Sequence, residues 1–285
     1  MIYHEMFSQH LRAGNWLFKY AWSVRMKEQF GEPTQYPEYY LWQYLKVPPL
    51  IGENLTGDLI KVNWEYSPEE DKRICSEVIK NDPEAYKPKI ISLDSFFQSE
   101  KWFENYKDEV WLSLLFEDTV KRQVYHKYLY MFQKLTIGIG IRLGDFIGHG
   151  DFYQIDPDWY ISALNTYFPN WEEKYNVVVF SDDIKMGREI FKDFPFEYAE
   201  PNGTETHKDN FKYYHGDASE QLILGYMMDN FIIGNSTFSW WQAWLSNHNK
   251  KSSTVIHSGK VFSETGNMKH INTKDYYPER WIKYE

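Results

Sequence analysis

The sequence predicts an α/β fold built on a parallel sheet between about residues 135 and 260. Short apolar runs typical of buried strands occur at Leu135–Ile141, Val177–Phe180, Phe231–Ile233 and Ser253–Ile256. Helical segments are expected between these runs, and strands that alternate with helices favour a parallel sheet. Ligands of such sheets bind beside the carboxyl ends of the strands, so the loops that follow the first three runs are expected to carry a site.

The N-terminal part is predicted to contain a helix, loops and a strand. Leu17, Ala21 and Val24 recur at helical spacing, and Gly31 ends that run. Residues 36–88 are aromatic, polar and interrupted by prolines, which predicts loops and short helices. A strand is expected at 89–93, followed by a mostly helical region at 99–130.

Helix starts are expected at four places in the C-terminal part. Asp156 followed by proline matches a cap residue with proline in the first helical position. A second helix is expected from about Asp183. The run from Asp217 to Glu220 matches a capping box before residues 222–228. The last helix is predicted over 236–245.

Composition and charge exclude some classes of partner. Acidic residues outnumber basic ones by 41 to 31, giving a formal net charge of −10, which argues against a nucleic-acid partner. The single cysteine, Cys75, cannot form an internal disulfide and favours a reducing compartment. The first twenty residues lack the continuous apolar core of a signal peptide, and no apolar run is long enough to span a membrane, so neither feature is expected. A cytoplasmic location is therefore expected, and association with a membrane surface stays open.

An arginine follows the first strand of the predicted sheet. The segment reads Gly138-Ile139-Gly140-Ile141-Arg142-Leu143-Gly144-Asp145. The planar fork of Arg142 suits a diphosphate, and Gly144 permits a tight turn. The alternative is an ordinary surface pair between Arg142 and Asp145.

Polar residues also follow the next two strands. Asp182 and Asp183, after Ser181, suit hydrogen bonds from guanine or ribose, although they also suit capping of the next helix. The run from Asn235 to Phe238 opens a helix, and its free N–H groups with the Ser236 and Thr237 hydroxyls would bind an anion. The alternative there is an N-cap with core tryptophans.

Taken in order, these segments resemble the α1,2-fucosyltransferases. Their His-x-Arg-Arg-Gly-Asp signature reads Gly140-Ile141-Arg142-Leu143-Gly144-Asp145 here, so glycine and leucine replace the histidine and the second arginine. The blocks at 180–183 and 235–245 are similar to those of the family almost without change. Weaker similarity covers 14–21 and 96–101. Arg12, near the first block, would restore some of the lost positive charge.

The resemblance implies a GT-B-like architecture, with two Rossmann-like domains facing a central cleft. The expected domains are residues 1–133 for the acceptor and 134–285 for GDP-fucose. The implied reaction moves L-fucose with inversion onto a sugar hydroxyl of an oligosaccharide or glycan, galactose-terminated, in an α1,2 linkage. The family works without a metal, so no metal or other cofactor is expected. A related transferase for another GDP-deoxysugar, and an inactive sugar-nucleotide or glycan-binding protein, are the alternatives.

The resemblance also implies site residues. Catalytic roles fall to Arg142, Asp145 and Asn15, with Asp145 preferred over His149 as the base unless it only holds Arg142 in an ion pair. The Gly14-Asn15 step before the first helix suggests close approach of backbone to ligand, or a plain turn. The implied donor-binding residues are Arg12, Gly14, Asn15, Arg142, Ser181, Asp182, Asp183, Asp217, Asn235, Ser236, Thr237 and Phe238.

Overall fold

The computed structural model describes residues 2–5, 12–31, 34–52, 58–62, 71–74, 76, 89–93, 96–200 and 215–285. The chain divides into two compact units, Met1–Glu117 and Asp118–Glu285. The two units therefore meet after residue 117. The domain boundary expected from the sequence, after residue 133, stays a prediction. Within the described ranges, no helix is both long and apolar enough to cross a membrane.

The first unit contains a four-stranded parallel sheet. Its strands are β1 (Ile2–Glu5), β2 (Thr34–Gln35), β3 (Asp58–Val62) and β4 (Lys89–Leu93), in the order β2-β1-β4-β3. Helix α1 (Ala13–Phe30) ends at Gly31, whose φ of 67° forms a left-handed cap. The predictions of α1, its end and β4 are confirmed. The prediction of only loops and short helices over 36–88 is wrong, because β3 lies there.

Short helices follow in the region that was predicted to be mostly helical. A 3₁₀ helix at Glu100–Tyr106 leads directly into α2 (Lys107–Ser113), which completes the first unit's helices after β4. The second unit begins with α3 (Asp118–Lys127) and a 3₁₀ helix at Leu129–Gln133. The helical prediction for 99–130 is therefore confirmed, although several short helices replace a continuous one.

The second unit contains a parallel sheet, as predicted, and the sheet has six strands. The strands are β5 (Leu135–Ile141), β6 (Tyr175–Ser181), β7 (Glu197–Tyr198), β8 (Asn230–Ile233), β9 (Val255–His257) and β10 (Ile282–Lys283). Their order is β10-β9-β8-β5-β6-β7, and every pair is parallel. The two-residue edge strands β7 and β10 were not predicted, since neither carries a buried apolar run.

Helices connect most of these strands. They are α4 (Pro157–Tyr167), α5 (Trp171–Lys174), α6 (Ile184–Ile190), α7 (His215–Met227) and α8 (Thr237–Asn249). Asp156 caps α4 by accepting from the Asp158 N–H at 2.9 Å, as predicted. The capping-box prediction at Asp217 is wrong, because α7 begins at His215 and Asp217 lies inside it.

The two faces of strand β5 pack in different ways. Ile137 and Ile139 are fully buried in the apolar core, which also contains side chains of α4. The alternate residues are glycines, and α8 comes close to β5 at the second of them. A Cβ on Gly140 would lie 2.5 Å from the Cβ of Ser239, in α8. Gly140 therefore allows α8 to pack directly on the sheet, where Trp240 is fully buried.

Candidate active site

Three of the predicted segments meet at one edge of the second sheet. Ile141, the last residue of β5, is in register with Ser181 at the end of β6. On the other side of β5, Gly140 is in register with Ile233, and the Gly234 N–H donates to the Gly140 carbonyl at 3.2 Å. The loops after β5, β6 and β8 therefore leave the sheet side by side, at the carboxyl ends of the strands.

Arg142 is held between two carboxylates in the first of these loops. Its Nε and Nη2 each lie 2.8 Å from Oδ1 of Asp145, and Nε lies 3.2 Å from Oδ2 of Asp182. The guanidinium carbon also lies 5.7 Å from the ring centroid of Phe146. Within the residues that the structure describes, Nη1 makes no hydrogen bond or ion pair. The fork is thus fixed along one side and offers its other side to an anion.

Asp182 organises the turn that carries Arg142. Its Oδ1 accepts from the Leu143 N–H at 2.9 Å, and its Oδ2 accepts from the Gly144 N–H at 3.1 Å. Burial raises the pKa of Asp182, while these two hydrogen bonds oppose the rise. A Cβ on Gly144 would collide with Oδ2, so glycine is needed there for close approach. Both oxygens of Asp182 are engaged within the protein, and its contact with the nucleoside stays a prediction.

Ser181 and Asp183 shape the start of α6. The Asp183 N–H donates to Oγ of Ser181 at 3.1 Å, and Oδ1 of Asp183 accepts from the Met186 N–H at 2.9 Å. Asp183 is therefore the N-cap of α6, which is the capping alternative seen in the sequence. Their contact with a nucleotide also stays a prediction.

Asn235 fixes the turn between β8 and α8. Its side-chain amide donates to the carbonyls of Tyr153 at 3.0 Å and Val261 at 2.8 Å. Two tyrosines of the C-terminal segment stabilise the same turn. The Tyr277 hydroxyl donates to the Gly234 carbonyl at 3.1 Å, and the Tyr276 hydroxyl donates to the Asn235 backbone carbonyl at 3.3 Å. Sequence reasoning missed both tyrosines, since no local pattern links them to a turn about forty residues away.

The first turn of α8 follows directly. Ser236 is the N-cap residue, yet its hydroxyl makes no capping hydrogen bond. The first N–H groups of a helix have no acceptor inside the helix, so those after Ser236 are available to an anion. Thr237 and Phe238 are half-buried in this turn. The first turn therefore has the geometry that anion binding needs, and the anion-binding role stays a prediction. The alternative, an N-cap with core tryptophans, is realised in part, because Ser236 is the N-cap residue and Trp240 and Trp241 are fully buried.

A cavity of about 210 Å³ lies at this edge of the sheet. Arg142 and Asn235 both line it, so the loops after β5 and β8 face a common space. Most of the other lining residues are apolar, and they include Phe146, Ile155 and Tyr160. A small, mostly apolar pocket with a few polar groups is typical of ligand sites.

The two departures from the signature have structural reasons. Leu143, in place of the second arginine, is only 5% exposed and packs in the core beside α4 and α6. Gly140, in place of the histidine, faces Ser239 with no room for a side chain. The structure thus leaves Arg142 as the cation of this signature.

The remaining predicted residues are placed as follows. In the first unit, exposed Arg12 precedes α1, Gly14 is buried, and Oδ1 of Asn15 accepts from Nε2 of Gln98 at 2.9 Å. The side chain of Asp217 lies outside the described residues. In the second unit, Nδ1 of His149 accepts from the Asp151 N–H at 3.3 Å.

Metal independence is not decided by the side chains that are present. Across the described ranges, no group of three or more His, Cys, Asp or Glu side chains is arranged to hold a metal ion. The expectation of a metal-free reaction stays a prediction.

The second unit thus combines a parallel sheet with an arginine and a helix N-terminus at its carboxyl edge, which is where such sheets bind nucleotides. The model of glycosyl transferase family 11 matches residues 91–285, and the chain belongs to that family. Two relatives come from Escherichia coli. The O-antigen biosynthesis glycosyltransferase WbnK is 27% identical over 81% of this chain and 72% of its own length. An alpha-1,2-colitosyltransferase is 27% identical over 53% of this chain and 48% of its own length.

A solved structure supports the same fold. The α-1,6-fucosyltransferase NodZ, from Bradyrhizobium and soaked with GDP-fucose, superposes with a TM-score of 0.53 at 12% identity. The match covers 86% of this chain and 92% of NodZ. At this identity the similarity shows the fold alone, which is α/β and GT-B-like as expected from the resemblance.

Proposed function

We propose that this chain transfers L-fucose from GDP-fucose to a sugar hydroxyl, with inversion, forming an α1,2 linkage on a galactose-terminated glycan. The observation that carries the proposal is Arg142, whose guanidinium is fixed by Asp145 and Asp182 and which lines the same cavity as Asn235, just before α8. The α1,2 linkage in the name of one relative and the GDP-fucose soaked into NodZ support the donor and the linkage.

Two sources of positive charge would stabilise the leaving diphosphate. The unpaired side of Arg142 donates hydrogen bonds to phosphate oxygens, and the first N–H groups of α8 add the partial charge of a helix N-terminus. Both are held by the fold before the donor arrives, so little reorganisation is needed in the transition state. Together they would take the place of a divalent cation, and we propose a metal-independent reaction.

Asp145 has two proposed roles. Its Oδ1 accepts from both Nε and Nη2 of Arg142, which is the geometry of a residue that orients the arginine. The Asp145 side chain is also 42% exposed, so an acceptor hydroxyl can reach its carboxylate. An inverting transfer needs a base for that hydroxyl, and Asp145 is our candidate.

A second candidate function uses another GDP-deoxysugar as the donor. The observation that favours it is the relative named as a colitosyltransferase. The phosphate-binding geometry at Arg142 and α8 would serve either donor equally. An inactive sugar-nucleotide-binding protein is the third possibility, and a measurable rate of donor hydrolysis would exclude it.

The test is a panel of donors and acceptors with linkage analysis of the product by NMR. GDP-fucose, GDP-colitose and GDP-mannose are each combined with lactose and N-acetyllactosamine, with and without EDTA. We expect transfer from GDP-fucose, an α1,2-linked product, no effect of EDTA, and tighter binding of GDP than of UDP or CDP. Transfer only from GDP-colitose would select the second function. Absence of both transfer and hydrolysis would reject the proposal.

A further inference from the structure

The backbone of the first unit is strained at Phe97. Its φ of 50° is left-handed, a conformation that aromatic residues rarely adopt. The Phe97 ring is buried, stacks on Trp22 at 4.8 Å and meets Trp102 edge-on at 5.9 Å. The Ser99 N–H closes the turn by donating to the Phe97 carbonyl at 2.7 Å. Core packing of the Phe97 ring thus compensates for the backbone strain. The turn that results fixes the position of the next residue, Gln98.

Gln98 is joined to a residue far away in the sequence. Its Nε2 donates to Oδ1 of Asn15 at 2.9 Å, although 83 residues separate the two. Asn15 is the third residue of α1, and its own N–H donates to the Arg12 carbonyl at 3.0 Å. Both amide side chains are half-buried. One is therefore positioned by a helix and the other by a strained turn, and together they form a fixed pair.

The amide pair has unused hydrogen-bonding capacity. Their mutual hydrogen bond uses one N–H and one oxygen, and each amide carries two N–H donors and an acceptor oxygen. In the part of the chain that the structure describes, Nδ2 of Asn15 and Oε1 of Gln98 make no hydrogen bond. Rotating both amides by half a turn leaves the same set of free donors and acceptors.

The chemistry of the pair matches a neutral, hydroxylated ligand. A hydroxyl group both donates and accepts, so adjacent hydroxyls on a sugar ring suit two neighbouring amides. A diphosphate would be served better by a cation, such as the arginine of the second unit. The strain at Phe97 is consistent with a binding role, since strained backbone persists where packing compensates and often at functional sites.

We propose that Asn15 and Gln98 form a subsite for the hydroxyl groups of a sugar ring. This inference rests on the proposed function, which supplies two sugars with that chemistry: the deoxysugar of the donor and the acceptor glycan. Gln98 then contributes a direct hydrogen bond to one of them.

The test uses Gln98→Glu in the full chain. The glutamate keeps an oxygen that accepts from Asn15 once that amide rotates, so the pair and the turn survive while two N–H donors are lost. We expect unchanged GDP affinity and melting temperature, with about fivefold weaker binding of one sugar, the effect of one hydrogen bond. Calorimetry compares GDP-fucose with GDP, and ligand-observed NMR follows lactose. Weaker GDP-fucose binding assigns the donor sugar, and weaker lactose binding assigns the acceptor.

Two further variants show whether a loss of sugar binding is specific to the amide pair. Gln133→Glu makes the same change at an exposed glutamine of the second unit and should leave all affinities unchanged. If Gln98→Glu lowers the melting temperature, Asn15→Asp replaces it, because aspartate still accepts from Gln98 while losing the Nδ2 donors. Unchanged sugar binding, or an equal loss of GDP affinity, would overturn the subsite. Failure of the proposed function would look different, since the wild-type chain would then bind neither GDP-fucose nor lactose and transfer nothing.

Discussion

Replacing Asp182 with asparagine tests whether this residue positions Arg142 or contacts the nucleoside. The carboxylate accepts from two backbone N–H groups, at 2.9 and 3.1 Å, and pairs with Nε of Arg142 at 3.2 Å. Asparagine keeps one acceptor oxygen and presents an amide nitrogen in place of the other. One backbone N–H therefore loses its acceptor, and Arg142 loses a counter-charge. The turn that carries Arg142 is then less ordered in the free protein, so GDP binding has to order it.

The loss can be estimated from these contacts. A hydrogen bond to a charged group contributes about 1.5–3 kcal/mol, and a partly exposed ion pair adds less than about 1 kcal/mol. We therefore expect GDP affinity to fall by about 2 kcal/mol, or roughly 30-fold. Guanosine lacks the phosphates, so its affinity should not change.

Calorimetry with GDP and ligand-observed NMR with guanosine give the two affinities. Asp193→Asn, at an exposed carboxylate after α6, is the control for the change in charge. An equal loss of guanosine affinity would mean that Asp182 contacts the nucleoside. Unchanged GDP affinity would refute the positioning argument.

Three further changes probe the same unit. Arg142→Ala should cost about 3 kcal/mol or more of transition-state stabilisation, measured as kcat/KM. Near-normal turnover would mean that another cation stabilises the leaving diphosphate, and Arg12 would be the first candidate. If Asp145 is the base, Asp145→Asn should reduce turnover sharply and leave GDP affinity normal. If Asp145 only orients Arg142, the same variant should also weaken GDP binding. Full activity would exclude Asp145 from catalysis and make His149→Ala the next variant. Burial lowers the pKa of His257 from 6.5 to about 4, so the unfolded state binds its proton first on acidification. The contribution of His257 to stability should be constant above pH 6.5 and fall by up to roughly 3 kcal/mol towards pH 4. His257→Phe should flatten this part of the melting curve against pH, and an unchanged pH profile would contradict the assignment.

The sequence predicted the central strands of the second sheet because each is a short apolar run followed by polar residues. β5, β6 and β8 fit that pattern, and their parallel pairing then brings the three loops together. β3 was missed because only part of it is buried, with Asp58 and Lys61 exposed.

The contacts inside the site were harder to predict. Asp182 reaches Leu143 across 39 positions and Gln98 reaches Asn15 across 83. Such pairs depend on how strands and turns are placed in space, and no local periodicity records them. For Asp183 the local pattern was sufficient, because an N-cap acts on its own helix.

The contact between Gly140 and Ser239 has a consequence for engineering this enzyme. Restoring the family's histidine at position 140 would force a side chain into space that α8 already occupies. The helix would have to move outward, and its first turn, which we propose binds the diphosphate, would move with it. A graft of the complete signature should therefore cost donor affinity in this background unless the packing of α8 against β5 is adjusted at the same time. The strand and the helix would then have to be redesigned together.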